Sequence, residues 1–256
     1  MSSASFSKQE QSEIDFGFSK VPLPEKQGLV DDVFHSVAAK YDVMNDVMSL
    51  GQHRIWKDVL VQELHPSGHW RHLDMAGGTG DVAFKIVKAA GLDSRVIVSD
   101  INQSMLDVGE ERAATQNMLG QVSFRQANAE SLPFEDNSFD GYTIAFGIRN
   151  VPRRELALRE AFRVLKRGGR FMCLEFSHVD VPVLESIYKA YSFSLIPSLG
   201  GMIAGDASSY RYLVESIAQF PSAETFRQLI GDAGFARTSY TKLSGGIVAI
   251  HSGWKL

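Results

Sequence analysis

Two short stretches carry residue types at spacings that can do chemistry. The first is LDMAGGTGD, residues 73–81, where Gly77, Gly78 and Gly80 follow a short apolar run and open a helical pattern. Glycine lets a backbone approach a ligand where any side chain would collide. Twenty residues past Gly80, at the end of the run IVSD, stands Asp100. A glycine loop between strand and helix, with an acid at the next strand's end, is where a doubly wound sheet holds a nucleotide, the acid accepting from ribose hydroxyls. The second stretch is AFGIRNVP, Ala145 to Pro152, where the apolar run YTIAFGI ends abruptly in Arg149-Asn150. Arginine is rarely fully buried without a partner. The pair is either a solvated strand end or it faces into a site.

The type of nucleotide is narrowed by what the loop lacks. Neither G-x-G-x-x-G nor G-x-x-x-x-G-K-[ST] is present. An acid, Asp74, precedes the glycines within the strand instead. A carboxylate there suits a cationic ligand and can accept from an ammonium group, which points to S-adenosyl-L-methionine.

The elements that must position these residues follow from periodicity. LVDDVFHSVAAKY and HRIWKDVLVQEL read as N-terminal helices, the first with Leu29, Val33, Phe34, Val37 and Ala38 on one face. From residue 71 strands and helices alternate: RHLDMA, a helix closed by Gly91, RVIVSD, a helix with Asn102 as its N-cap, QVSFRQA, FDGYTIAFGI, RRELALREAFRVL, then GRFMCLEF. Lys166 to Arg170 reads as a turn before that fifth strand. A last helix capped by Ser222 and a closing pair of strands, ARTSYTKL and GGIVAIHSGW, follow. This order predicts an α/β fold with a doubly wound, mostly parallel seven-stranded sheet. It carries N-terminal helices (residues 29–66) and a helical insertion (residues 178–220) before the last strands. Residues 1–28 are polar, lack the apolar centre of a signal peptide, and read as a flexible arm on a single domain spanning 29–256.

Composition sets outer bounds. The 256 residues are 44% hydrophobic with a net charge of −4, so no basic field argues for nucleic acid. No run of apolar residues is long enough for a spanning helix. The lone Cys173, in FMCLEF, reads as core packing and excludes an internal disulfide. His65, His69 and His72 sit in a linker without cysteines or clustered carboxylates, so no metal site is expected.

With these stretches in hand the chain resembles the ubiquinone/menaquinone biosynthesis C-methyltransferases, a family of class I S-adenosyl-L-methionine-dependent methyltransferases. The resemblance runs from about residue 16 to the C-terminus through VFHSVAAKYDVMNDVMSLGQHRIWK, DMAGGTGD, QANAESLPF, AFGIRNVP, RVLKRGGRF, LEFS, AYSFSLIP, SYRYLVESI and GIVAIHSGWKL. AFGIRNVP and IHSGWKL look most like the alphaproteobacterial and mitochondrial branch. The resemblance implies that Thr79 lies near the methionine part of the cofactor, that Asn128 and Ala129 frame its adenine, and that Ala145 makes a further contact. Many bacterial members carry serine at that last position, so a side-chain hydrogen bond is lost here. Ala76 replaces the commoner class I glycine, and Arg167 the commoner proline.

The implied acceptor is a polyprenylated quinol, a 2-methoxy-6-polyprenyl-1,4-benzoquinol or a demethylmenaquinol, methylated on a ring carbon. Arg149 would stabilise the developing phenolate and Asn150 orient the second ring oxygen. Arginine is too basic to be the base, so a carboxylate or water relay is needed, with Asp81 the nearest candidate and His35 a weaker one. Tyr41 would close the site. Tyr188, Tyr191, Phe193, Tyr210 and Tyr212 would pack the core or line a passage for the isoprenoid tail. A lipid-tailed acceptor implies peripheral attachment to a membrane, through the 185–205 region, on the cytoplasmic face of the inner membrane or the matrix face in a mitochondrion. A homodimer and other quinone-synthesis enzymes are the expected partners. A methyltransferase on another phenol or a sterol, and a non-catalytic scaffold, are the competing readings.

Overall fold

A computed structural model of the chain describes residues 13–37, 45–46, 49–91, 93–179 and 207–256. Two short strands, β1 (Glu13–Phe16) and β2 (Ser19–Pro22), form an antiparallel hairpin that leads into helix α1 (Leu23–Val37). Helix α2 (His53–Leu64) follows. The alternating part runs β3 (Arg71–Met75), α3 (Asp81–Ala90), β4 (Arg95–Asp100), α4 (Gln103–Thr115), β5 (Val122–Gln126) and β6 (Phe139–Ala145). A single 3-10 turn, Ile148–Asn150, then leads to α5 (Arg154–Val164) and β7 (Leu165–Phe176). The chain closes with α6 (Ala207–Ala218), α7 (Ala223–Asp232), β8 (Ala236–Leu243) and β9 (Val248–Trp254).

The sheet has seven strands in the order β5-β4-β3-β6-β7-β9-β8. Its first five positions are parallel, and β9 runs antiparallel to both neighbours. The strand order reverses between β3 and β6, so the crevice outside their carboxyl ends is the natural ligand site. Both faces are covered. One core gathers Leu73, Tyr142 and Phe171 with Leu158 of α5 and Ile230 of α7. The other gathers Val98 and Leu174 with Leu60 of α2, Ile86 of α3 and Leu106 of α4. Buried on two sides, β4 and the end of β7 read as near-continuous apolar runs, while β3 carries the buried polar residues His72 and Asp74.

Most expected elements form, with caps as read: Asn102 accepts from the amide of Met105, Ser222 from that of Thr225, and Gly91 closes α3. Two differ. The expected turn at Lys166–Arg170 lies inside β7 as an irregularity, since Phe139 pairs with Leu165 but Gly141 with Arg170. Residues 13–28, expected as part of a flexible arm, form the β1–β2 hairpin and the first turn of α1. Long-range contacts hold this polar segment: Phe16 stacks on Tyr212 at 4.3 Å, and the Phe18 amide donates to Glu215 Oε2 at 3.0 Å. Tyr41, Tyr188, Tyr191, Phe193 and the 185–205 region lie outside the described residues, as does the side chain of His35.

One buried ring has a consequence for acid stability. His251 on β9 is 1% exposed and donates from Nε2 to the Ala223 carbonyl at 3.0 Å. Burial depresses its pKa to about 4. Unfolded, the ring takes a proton near pH ~6.5. Below that pH the unfolded chain binds the extra proton, so stability is present above ~6.5 and lost as pH falls toward the folded value. Urea midpoints at two pH values test this. Between pH 7 and pH 5 the wild type should lose about 2 kcal/mol more than His251→Gln, which keeps the donor but not the titration.

Candidate functional site

The glycine loop crosses the carboxyl ends of β3 and β4 pressed onto their side chains. Ala76, Gly78 and Gly80 all take positive φ, at 51°, 49° and 85°. A Cβ on Gly77 would stand 2.8 Å from Asp74 Oδ2 and from Val98 Cγ1, closer than real Cβ atoms come. The end of β4 clamps the loop: the Gly77 amide donates to the Ser99 carbonyl at 3.1 Å and the Gly78 amide to Asp100 Oδ2 at 3.0 Å. Asp100 Oδ1 accepts from the Asn102 amide at 3.0 Å, tying the loop to the cap of α4.

Beneath the loop lies a buried polar chain. Thr143 on β6 donates to Asp74 Oδ1 at 2.6 Å. Its hydroxyl proton is therefore committed, so its 2.9 Å contact with His72 Nε2 has the ring donating. Asp74 is 1% exposed, and its Oδ2 has no hydrogen-bond partner. Burial raises this carboxyl to about 7, against the pull of the Thr143 hydrogen bond and the Lys57 charge. An orphaned buried carboxylate oxygen is costly unless a ligand supplies a donor.

Two hollows flank the loop. The larger, about 670 Å³, is floored by Met75, Ala76 and Gly78, with Asp100 and Met105 on one side and Asn128, Ala129 and Asn150 on the other. Gln27 and Val30 of α1 cover it. The smaller, about 310 Å³, is lined by Lys57, Asp74, Gly77, Thr79, Asp81 and Ala145. Ala76 belongs to both, so they are two halves of one cleft. The large half offers apolar walls and a rim acid, the chemistry of a nucleoside. The small half offers a buried carboxylate with one oxygen unpartnered and, in the Lys57–Asp81 pair, an ammonium, groups that suit an amino-acid zwitterion. The donor set therefore fits S-adenosyl-L-methionine.

The structure distributes the other expected residues unevenly. Asp81 sits in the small half, but Lys57 Nζ and Arg112 Nη2 each donate to it at 2.9 Å. Burial alone would raise its pKa, and the two cations outweigh burial and hold it below the usual range. A carboxylate stabilised in that way is a poor general base, which weighs against the expected role. Arg149 is 4% exposed and points inward rather than to solvent. Its Nη1 donates to Glu175 Oε1 at 2.9 Å and to the Phe146 carbonyl at 2.5 Å. The run YTIAFGI thus ends in a guanidinium because the neighbouring strand ends in a buried carboxylate. Arg149 does not line the large hollow, whereas Asn150 does, its Oδ1 accepting from Tyr212 at 3.0 Å.

Sequence reasoning missed Lys57, Glu175 and Gln27, while Tyr212, expected in the core or along a tail passage, contacts Asn150. Lys57 carried a signal: with His53 it falls on the apolar face of α2, among Trp56, Leu60 and Leu64. A charge on a buried face asks for a partner. Glu175, interrupting FMCLEF, carried the same one.

The ubiE/COQ5 methyltransferase family matches residues 22–255. The chain belongs to this family. It is a methyltransferase. It is 59% identical over 246 residues to the ubiquinone/menaquinone biosynthesis C-methyltransferase UbiE of Brucella abortus (strain S19), covering 95% of this chain and 91% of that one. The corresponding protein of Brucella anthropi is 58% identical, with 95% and 94% covered. Among solved structures, a SAM-dependent methyltransferase from Thermotoga maritima superposes with a TM-score of 0.64 at 20% identity, covering 89% of this chain and all of its own. One from Aquifex aeolicus gives 0.61 at 15%, covering 83% and 97%. These share the fold.

Gly77→Ala tests the loop's packing. The added methyl has no room against Asp74 and Val98, and overpacking of this kind costs about 1–3 kcal/mol. A lowered melting temperature and nucleotide binding lost in calorimetry are expected.

Proposed function

We propose that this methyltransferase uses S-adenosyl-L-methionine to methylate a ring carbon of a polyprenylated quinol; its Brucella relatives are named ubiquinone/menaquinone biosynthesis C-methyltransferases. The observation that carries the cofactor reading is the divided cleft with its unpartnered Asp74 oxygen. Asp74 would take the ammonium, Lys57 the carboxylate, Asp100 the ribose, and Asn128 with Ala129 the adenine. When bound, the cofactor supplies an electrophilic methyl group.

The residues of this chain must then make an aromatic carbon nucleophilic. A free phenol titrates near pKa ~10, so its proton has to be removed or its anion stabilised. Asn150 lines the large half of the cleft with its carbonyl already engaged by Tyr212. Its NH2 is thus the end left to donate to a ring oxygen. Arg149, paired with Glu175, is its neighbour in the same turn. Preorganised donors of this kind are worth roughly 100- to 1000-fold in rate. No helix among the described residues is long and apolar enough to cross a membrane, so a lipid-tailed acceptor would be met from the bilayer surface. Peripheral association and assembly with other quinone-synthesis enzymes belong to this reading.

Two measurements test it. The first is cofactor affinity against pH. Asp74 must be ionised to hold an ammonium, and burial leaves it half protonated at about 7. Binding below that pH has to expel a proton, so the dissociation constant should rise about tenfold per unit as pH falls from ~7 to ~5. Asp74→Asn should bind weakly with a flat profile. The second is transfer of labelled methyl to a reduced methoxy-benzoquinol and a demethylnaphthoquinol with short prenyl tails. Arg149→Lys is the informative variant, because Arg149→Ala would strand Glu175 without a counter-charge. Ring-carbon labelling by wild type, falling about 100-fold in Arg149→Lys with cofactor affinity kept, is expected. Tight cofactor binding with no transfer to either ring would favour a different phenolic acceptor or a scaffold.

A further inference from the structure

Behind the cofactor cleft lies a third cavity, of about 300 Å³, lined by Lys26, Arg149, Arg154, Tyr212 and Asp15, with Ser216 and Gln219. Its charges are unbalanced. Lys26, in the first turn of α1, is 3% exposed, and no carboxylate among the described residues lies within ion-pair distance of it. Arg154 directs Nη2 to the Arg149 carbonyl at 3.0 Å, and the buried Nε atoms of both arginines have no partner. The nearby acids are committed elsewhere. Asp15 pairs with Lys20 at 2.7 Å, Glu130 with Arg153 at 2.7 Å, and Glu175 with Arg149 at 2.9 Å.

A buried ammonium beside guanidinium groups has two ways out: it can lose its proton, or it can gain an anion. Burial, reinforced by the Arg154 charge, brings Lys26 down to about 8, opposed by Asp15 and Glu130. At neutral pH a useful fraction is therefore free amine. An amine that takes a proton from a hydroxyl becomes the counter-ion of the anion it has made.

The cavity shares its wall with the cofactor cleft. Lys26 lines the cavity while Gln27 lines the cleft, and Arg149 and Asn150 divide in the same way. The Tyr212 hydroxyl bridges them through Asn150 Oδ1. We propose that this cavity receives a hydroxyl of the phenolic acceptor and that Lys26 takes its proton, with Arg149 and Arg154 holding the resulting oxyanion. This rests on the quinol reading above. The O–H bond breaks and an N–H bond forms on Lys26. The ring carbon then bonds the methyl group, the electron pair of the broken carbon–sulfur bond staying on sulfur. The ring proton leaves to water and the Lys26 ammonium returns its proton to oxygen. The net change is one methyl gained and one proton released.

The test uses the full chain as wild type, as Lys26→Met, and as Lys26→Cys before and after alkylation with 2-bromoethylamine. The only native cysteine, Cys173, is fully buried, and peptide mass analysis establishes that one aminoethyl group sits at position 26 before the assays are read. Two readouts are taken: the absorbance of a bound short-prenyl nitrophenol at pH 7, which reports whether the phenol is ionised, and kcat against pH. The expected result is phenolate on wild type and neutral phenol on Lys26→Met. The kcat of that variant should fall about 100-fold or more, with cofactor affinity and melting temperature held, since an apolar isostere for an unpaired buried charge is neutral or stabilising. Alkylation of Lys26→Cys should restore phenolate and turnover, with the acid limb moved to lower pH because the thioether amine is less basic. Phenolate and an unchanged limb in Lys26→Met, or no recovery on alkylation, would overturn the proposal. Wild type that ionises the nitrophenol but methylates no quinol would sink the acceptor assignment alone. Wild type that methylates the quinol as fast as Lys26→Met does would sink the role of Lys26 alone.

Discussion

The site depends on a five-residue loop held against the sheet by one carboxylate, Asp100, and packed over another, Asp74. Asp74 and Asp100 end neighbouring parallel strands, and the loop passes between them with no side chain at Gly77 or Gly78 to keep it away. Asp100 accepts from the Gly78 amide, so the acid that offers itself to a ribose is also the loop's brace. Asp74 is held from below by Thr143, which His72 in turn supports. Gly141 follows from this chain, because a Cβ there would collide with the His72 ring. Ala76 is the one place where the loop carries a methyl group at positive φ, and that methyl occupies the space a side chain on Gly147 would need. The alanine in AGGTG and the glycine in AFGIRN are therefore one packing decision made at two places in the chain.

The rest of the carboxyl edge is a problem of burying charge. Taking ions out of water costs several kcal/mol each, and their attraction repays this only with good geometry and satisfied hydrogen bonds. Glu175 meets that condition. It receives Arg149 Nη1, the Arg149 amide and the Phe176 amide, so the ends of β6 and β7 are joined by backbone and side chain together. Asp81 meets it through Lys57 and Arg112, which fasten α2 and α4 to the start of α3. These pairs set where the site's fields point more than they add to stability.

The sheet and the loop were legible in the sequence because their signals are local: apolar runs, capping residues and glycines at a strand-to-helix junction. What failed to show was held by distant partners. The β1–β2 hairpin is polar and short, and contacts with Tyr212 and Glu215, far along the chain, help to hold it. Asp81 read as a base because its cations come from Lys57 and Arg112, 24 and 31 residues away. Arg149 read as a group for the phenolate, without a carboxylate of its own, because nothing in AFGIRN announces Glu175. The unexplained charge was visible in each case, but its partner was not. Pairing the interruptions with one another, Arg149 in one apolar run and Glu175 in the next, would have recovered the ion pair from the expected strand order.

Charge of both signs lies on both sides of one turn, with Lys57 paired to Asp81 in the cleft and Asp15 paired to Lys20 at the cavity. Asp74 and Asp100 line the cleft, while Lys26, Arg149 and Arg154 line the cavity behind residues 149–150. A cationic methyl donor and an anionic ring are both stabilised by water, and both lose charge as the methyl moves. Bringing them into a dry site favours a reaction that neutralises charge, provided each partner is held by fixed groups of opposite sign until it reacts. In the proposed reaction Asp74 and Asp100 would serve the donor, and Lys26, Arg149 and Arg154 the oxyanion, from either side of residues 149–150. The buried Arg149–Glu175 pair keeps that turn in place, so a contact that looks purely structural also serves both sides.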